Sequence, residues 1–307
     1  MDIDDRWTLD SLVGAYKEHQ RRTRGLREPT LRNYEWNVRE FIRTTLGDDP
    51  IDPGRLNCID VIEFVTAVSD RLTPATMGTV CTALRSFFRF LHAEALCDQP
   101  LDAAVPTIAH WRLSSVPRLL TDEQLEQVLA SLDGAGAYGL RDRAIVLCLS
   151  TLGLRPREVA EIGLDDIDWR AGTLKLRARK NRRGAVLPLP HNAGAAIVAY
   201  VRDERPETDE RRVFVQHRNP RRGQPLSANA VSEVVARALR RAQVDAPLAG
   251  AYMFRHTVAS RMVRQGASLK EVADLLGHAS LDSTTIYTKV DLPALHEVAL
   301  PWPEVTR

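Results

Sequence analysis

The sequence predicts a mainly α-helical protein of two domains, with one small β-hairpin in the second. Three observations predict this. Apolar residues recur at helical spacing through the first third. A stretch from Asp98 to Pro117 carries Pro100, Pro106 and Pro117 and loses all periodicity. Beyond it lies the one clear period-two alternation, Thr173 to Arg179, followed by a turn and a return strand. At 307 residues the chain is long enough to bury two cores. The expected division is a helical domain over 1–110, a linker over 111–118 and a second domain over 119–307.

In chain order, Leu9, Leu12, Val13 and Tyr16 share one helical face. Thr30 is expected to cap a second helix through Leu31, Tyr34, Val38, Phe41 and Ile42, closed by Gly47. A third helix runs roughly from Ile59 to Leu72. Thr73-Pro74, a cap followed by proline at the first helical position, opens a fourth that carries Met77, Val80, Leu84, Phe87, Phe88 and Leu91. After the linker, Thr121 to Gln124 reads as a capping box. An apolar helix from Arg141 to Leu152 follows, then the hairpin, with Asn181 to Gly184 as its turn and Ala185 to Leu189 as the return. Helices are expected over His191–Glu204, Ala228–Gln243, Tyr252–Gln265 and Leu269–Leu276.

Composition narrows the class. Apolar residues make up 44% and charged residues 27%, as in a soluble globular protein. No apolar run approaches the ~20 residues of a membrane span, and the acidic start lacks the order of a signal peptide, so a cytoplasmic protein without membrane association is expected. Cys58, Cys81, Cys97 and Cys148 show no paired spacing, so neither a disulfide framework nor a metal site follows. Cys148, inside an apolar run, is expected in the core. The net charge of +2 is unevenly placed: 14 basic against 17 acidic residues up to Val116, and 28 against 23 after it. Lys175, Arg177, Arg179, Lys180, Arg182 and Arg183 form one cluster, and Arg211, Arg212, Arg218, Arg221 and Arg222 another. Such clusters suit either a phosphate backbone or an ordinary solvated face.

Four segments of the second domain hold candidate chemistry. In Thr151-Leu-Gly-Leu-Arg155-Pro-Arg-Glu158 one helix ends at glycine and another starts at proline. Arg155 there either helps hold an anion at a helix start or pairs with Glu158 on the surface. Lys180 sits on the basic hairpin, either entering a groove or simply solvated. Tyr252-Met-Phe-Arg255-His256-Thr257 opens a helix. Leu275-Leu-Gly-His278 closes one, ahead of Thr284-Thr-Ile-Tyr287.

Together these segments resemble the tyrosine recombinase (phage integrase) family, particularly its Xer-type and integrase members. The shared motifs are Gly-Leu-Arg155-x-x-Glu158, Lys180 eight residues before Pro188, Arg255-His256-Thr257, and Leu-Gly-His278 nine residues before Tyr287. The resemblance implies a C-shaped clamp of two domains around double-stranded DNA, with 1–110 as the SAM-like core-binding domain and 119–307 as the catalytic domain. It also implies a site-specific recombinase that needs no cofactor and acts as a homotetramer, or as a heterotetramer with related recombinases. Tyr287 would be the nucleophile, forming a 3′-phosphotyrosine. Arg155 and Arg255 would clamp the non-bridging oxygens, and His278 would donate to the same phosphate. Lys180 would protonate the leaving 5′-oxygen. Glu158 would support the site. Lys175, Arg177, Arg179, Arg182, Arg183, Arg221 and Arg222 are the expected DNA contacts.

One position departs from the family pattern. Tyr252 stands where the family usually has histidine, three residues before the second arginine. A phenol with a pKa of ~10 stays neutral where an imidazole would change charge, so Tyr252 hydrogen-bonds the phosphate, positions Tyr287, or only packs. The segment Asp291–Leu300 either docks on a neighbouring subunit or folds back onto its own domain. The ending Val-Ala-Leu-Pro-Trp302-Pro resembles integrases of mobile elements, which favours integration or transposition. Two rival readings share these motifs: a type IB topoisomerase, and a non-catalytic accessory recombinase suggested by Tyr252.

Overall fold

The computed structural model describes residues 7–47, 50–108, 119–133, 136, 138–177, 184–245, 250–277 and 284–290. The chain divides into two units, Met1–Arg112 and Leu113–Arg307.

In the first unit, helix α1 (Leu9–Arg24) starts at Thr8, whose hydroxyl accepts from the Ser11 N–H, and stops at the left-handed Gly25. Helix α2 (Glu28–Leu46) begins two residues before the expected Thr30 cap. The reason is Pro29: its missing N–H falls among the donors that a first turn leaves without an intrahelical partner. The N–H groups of Thr30 and Leu31 already bond back to the Arg27 carbonyl, at 2.9 and 3.1 Å. Helix α3 (Cys58–Ser69) is capped by Asn57 and Asp60 in a reciprocal box, and α4 (Pro74–Ala93) by Thr73 with proline in the first turn.

The stretch without periodicity from Asp98 is in its first part a 3₁₀ turn, Leu101–Ala104, and Leu101 and Val105 are buried in the first core. Two anchoring side chains produce no periodicity, which is why the sequence reads as unstructured there. The expected linker itself, 111–118, lies outside the described residues. Aromatic rings fill the core edge to face: Phe41 meets Phe64 at 5.2 Å and Phe88 at 5.3 Å, and Tyr16 meets Phe87 at 5.4 Å.

In the second unit, α5 (Asp122–Ala130) carries the expected box between Thr121 and Gln124. Helix α6 (Gly139–Leu152) is buried on every side from Ala144 to Leu149, Cys148 included, and packs against α8 (His191–Asp203), α9 (Ala228–Arg241) and α10 (Gly250–Arg264). A five-residue helix, α7 (Pro156–Ala160), follows it. The hairpin is part of a three-stranded antiparallel sheet, ordered β1 (Ile167–Asp168), β2 (Thr173–Leu176), β3 (Ala185–Pro188), with Lys175 opposite Val186. Strand β1 escapes a sequence reading because two residues cannot display alternation. Helix α11 (Leu269–Leu276) and a 3₁₀ turn, Thr285–Val290, close the described chain. Among the described residues no helix is long and apolar enough to cross a membrane.

The Phe41 ring joins two edge-to-face contacts and is fully buried. Phe41→Ala is therefore expected to lower the stability of the first unit by about 3–5 kcal/mol. A urea titration followed by circular dichroism checks this; an unchanged midpoint would contradict the packing described.

Candidate active site

Three helix ends converge to build the site. Helix α6 stops at Gly153, whose φ of 61° is left-handed. A Cβ at this position would lie 2.9 Å from Leu276 Cδ2 and 3.4 Å from Val258 Cγ1, so only glycine lets the end of α6 approach both α10 and α11. The Gly153 carbonyl then accepts a hydrogen bond from Arg255 Nη1 at 2.7 Å, and Arg255 Nη2 donates to the Leu276 carbonyl at 2.5 Å. Arg155, two residues beyond Gly153, reaches the same Leu276 carbonyl with Nη1 at 3.4 Å. One carbonyl, the last of α11, thus draws in two guanidinium groups from different helices. The position suits it, because the C-terminal end of a helix carries partial negative charge and carbonyls without helical partners.

Glu158 completes this corner. Its carboxylate accepts from Arg155 Nη1 at 3.0 Å and from the Arg155 backbone N–H at 2.8 Å. The pairing of Arg155 with Glu158 is real, but it is not a surface pair, since Glu158 is only 6% exposed. The Glu158 carboxylate also takes the N–H at the start of α7 that the sequence offered to an external anion. Arg255 is 3% exposed, and its charge is met by carbonyl dipoles on the two described contacts.

Tyr287 lies on the 3₁₀ turn that packs against α10, and its ring is buried at 1% exposure. Burial raises the phenol above its ordinary pKa, against a smaller downward pull from Arg255 and Arg155. Its hydroxyl lies 3.0 Å from Nδ1 of His256. Burial, with Arg255 adding to it, holds His256 below the usual imidazole pKa. Successive residues of α10 therefore diverge in role, as positions ~100° apart on a helix must. Arg255 reaches the ends of α6 and α11, His256 reaches Tyr287, and the Thr257 hydroxyl accepts from the Leu120 N–H at 2.9 Å.

The structure thus brings Arg155, Glu158, Arg255 and Tyr287 into one neighbourhood. Lys180 and His278 lie outside the described residues, as do Arg179, Arg182, Arg183 and the segment after Val290. Tyr252 is 49% exposed, one helical turn before His256. Of the expected DNA contacts, Lys175 is exposed on β2, and Arg221 and Arg222 are exposed in a loop. Arg177 is exposed too, but its Nε donates to Asp166 at 3.2 Å, so its charge is partly balanced. In the second basic cluster Arg211 pairs with Asp165, and Arg218 stacks over Tyr138 at 5.4 Å. The motifs give no role to two contributors: His256, whose partner is 31 residues away, and the Leu276 carbonyl, a backbone atom that no side-chain motif reveals. Among the described residues no group of three or more His, Cys, Asp or Glu side chains is placed to hold a metal ion.

Comparison with known proteins gives this arrangement its context. Residues 118–292 match the model of the phage integrase family, and residues 13–95 match that of the phage integrase N-terminal SAM-like domain. The chain belongs to the phage integrase family, the tyrosine recombinases, enzymes that cleave and rejoin DNA. The y4rA protein of Sinorhizobium fredii, whose name places it among integrase/recombinases, is 41% identical over 96% of this chain and 71% of its own. The tyrosine recombinase XerD of Mycobacterium tuberculosis is 30% identical over 95% of this chain and 96% of its own. The fold is shared with the XerH site-specific recombinase, solved in a post-cleavage complex with its difH substrate, at a TM-score of 0.72 and 19% identity over 94% of this chain and 83% of that one.

Gly153→Ala places a methyl group in a left-handed backbone and against Leu276. It is expected to destabilise the second unit by about 2–4 kcal/mol and to disturb both arginine contacts. Thermal unfolding of the variant checks the first effect. A midpoint equal to that of the parent would mean that the three helix ends do not need this close approach.

Proposed function

We propose that this recombinase uses Tyr287 as its nucleophile and the Arg155–Arg255 pair as its phosphate clamp, in the service of integrating or transposing a mobile element. The observation that carries the reading is the convergence of both guanidinium groups on the Leu276 carbonyl, with the turn that bears Tyr287 packed on the helix that bears Arg255. Two cations held by fixed carbonyls are already oriented before DNA arrives. Non-bridging phosphate oxygens gain negative charge in the transition state, and oriented donors stabilise it without reorganising. Attack by the Tyr287 oxygen leaves a 3′-phosphotyrosine and a 5′-hydroxyl, and reversal with another 5′-hydroxyl rejoins the strand. Glu158 holds Arg155 in place rather than meeting DNA. Lys180 as donor to the leaving 5′-oxygen, and His278 as a further phosphate ligand, complete the set that the motifs imply.

Both units would contribute contacts to double-stranded DNA. Lys175, Arg177, Arg179, Arg182, Arg183, Arg221 and Arg222 would contact phosphates, which makes affinity fall steeply with salt. The working form would be a tetramer on DNA, of this chain alone or with a related recombinase, acting in the cytoplasm. The integrase name of the 41% identical relative supports the mobile-element role.

The test is to incubate the protein with a fragment library of the genome that encodes it, denature, and recover covalently attached DNA, with Tyr287→Phe alongside. Adducts at a discrete inverted repeat, lost in the Phe variant, are expected. Adducts that persist in Tyr287→Phe would show that another residue is the nucleophile.

A further inference from the structure

We propose that His256 is the proton acceptor for Tyr287 during strand cleavage; this rests on Tyr287 being the nucleophile. The geometry is direct. Nδ1 of His256 lies 3.0 Å from the phenolic oxygen, and the two rings are tilted by 55° with centroids 5.6 Å apart, so they meet through the polar atoms rather than by stacking. With the ring proton on Nε2, Nδ1 accepts the phenolic hydrogen bond, the arrangement from which a proton moves.

The surroundings suit that task. Tyr287 is 1% exposed, so water does not compete for its proton. Burial and the Arg255 charge keep His256 neutral near pH 7, with a lone pair to offer. Its position is also fixed by the clamp itself: Arg255, the residue before it on α10, is tied at 2.7 and 2.5 Å to two carbonyls. The base and one phosphate ligand are therefore held by the same helical turn. Tyr252, one turn earlier, is half exposed and its phenol is a poor base, so it is not the group that this arrangement prepares.

The step balances in atoms and charge. As the bond from Tyr287 oxygen to phosphorus forms, the phenolic proton passes to Nδ1 and His256 becomes an imidazolium. As the bond from phosphorus to the 5′-oxygen breaks, that oxygen takes a proton from an ammonium such as Lys180. On rejoining, the attacking 5′-hydroxyl gives its proton to the neutral amine and the imidazolium returns its proton to the departing phenolate. No oxidant, metal or nucleotide enters.

The experiment measures single-turnover adduct formation by full-length protein on the genomic fragments described above. The proteins compared are wild type, His256→Gln, His256→Ala and Tyr287→Phe, each with a thermal unfolding midpoint. Glutamine can still hydrogen-bond the phenol but cannot take its proton. His256→Gln is expected to slow cleavage by about 10²-fold with an unchanged midpoint. His256→Ala is expected to be slow and to recover with added imidazole, and to recover partly when a fluorinated tyrosine of lower phenol pKa replaces Tyr287. The imidazole-dependent gain is internal to one preparation, so it decides the matter even if His256→Gln does not fold. Wild-type rates in His256→Gln would overturn the assignment, as would a slow His256→Ala that neither imidazole nor the fluorinated tyrosine restores. These outcomes differ from a failure of the reading beneath it, in which wild type forms no adducts or Tyr287→Phe still forms them.

Discussion

The second unit is organised around one backbone atom. The last carbonyl of α11 lies at the negative end of a helix, and two arginines from separate helices converge on it. Two like charges are ordinarily kept apart, and bringing them together needs fixed negative charge or dipoles between them. The Leu276 and Gly153 carbonyls supply dipoles, and the Glu158 carboxylate supplies charge on one side. The phosphate site proposed here would need this asymmetry: enough compensation to fold, and enough remaining positive charge to receive a phosphate.

That requirement accounts for features that otherwise look unrelated. Gly153 combines a positive φ with a space that no Cβ fits, because the end of α6 must come close enough for its carbonyl to meet Arg255. Glu158 is buried although it is charged, because it answers both the side chain and the backbone N–H of Arg155. Burial of a carboxylate costs several kcal/mol unless such partners are present. Helix α10 is buried along most of its length, with Met253, Phe254, Val258 and Ala259 among its core residues, so its three consecutive polar residues are held by packing on either side.

Much of this was legible in the sequence, and the limits have physical causes. Caps read well because they are local: Thr73-Pro74 and the Thr121–Gln124 box lie where their side-chain chemistry says. The α2 start differs from the expected one because Thr30 looks like a cap in isolation, while Pro29 fits equally well inside the first turn. Leu101 and Val105 join the first core as single anchors, and single anchors have no period to detect. The expectation of Arg155, Glu158, Arg255 and Tyr287 as site residues comes from the spacing of motifs, which records residue types but not the atoms they touch. The two arginines meet on a carbonyl, and carbonyls are the same at every position.

His256 shows the same limit most sharply. In the sequence it is one residue of an Arg-His-Thr run, and attention falls instead on Tyr252, where an expected histidine is missing. On a helix, residues 252 and 256 differ by about one turn, so they lie on nearly the same face. A histidine moved along the helix by one turn can still address the same neighbour if that neighbour is correctly placed, and here the 3₁₀ turn brings the Tyr287 hydroxyl to it. The departure at Tyr252 therefore does not by itself argue for an inactive protein. The cleavage step proposed here asks only that a neutral base stand beside a buried phenol next to two fixed cations. The fold offers such a base at a position that the motif contains but gives no role.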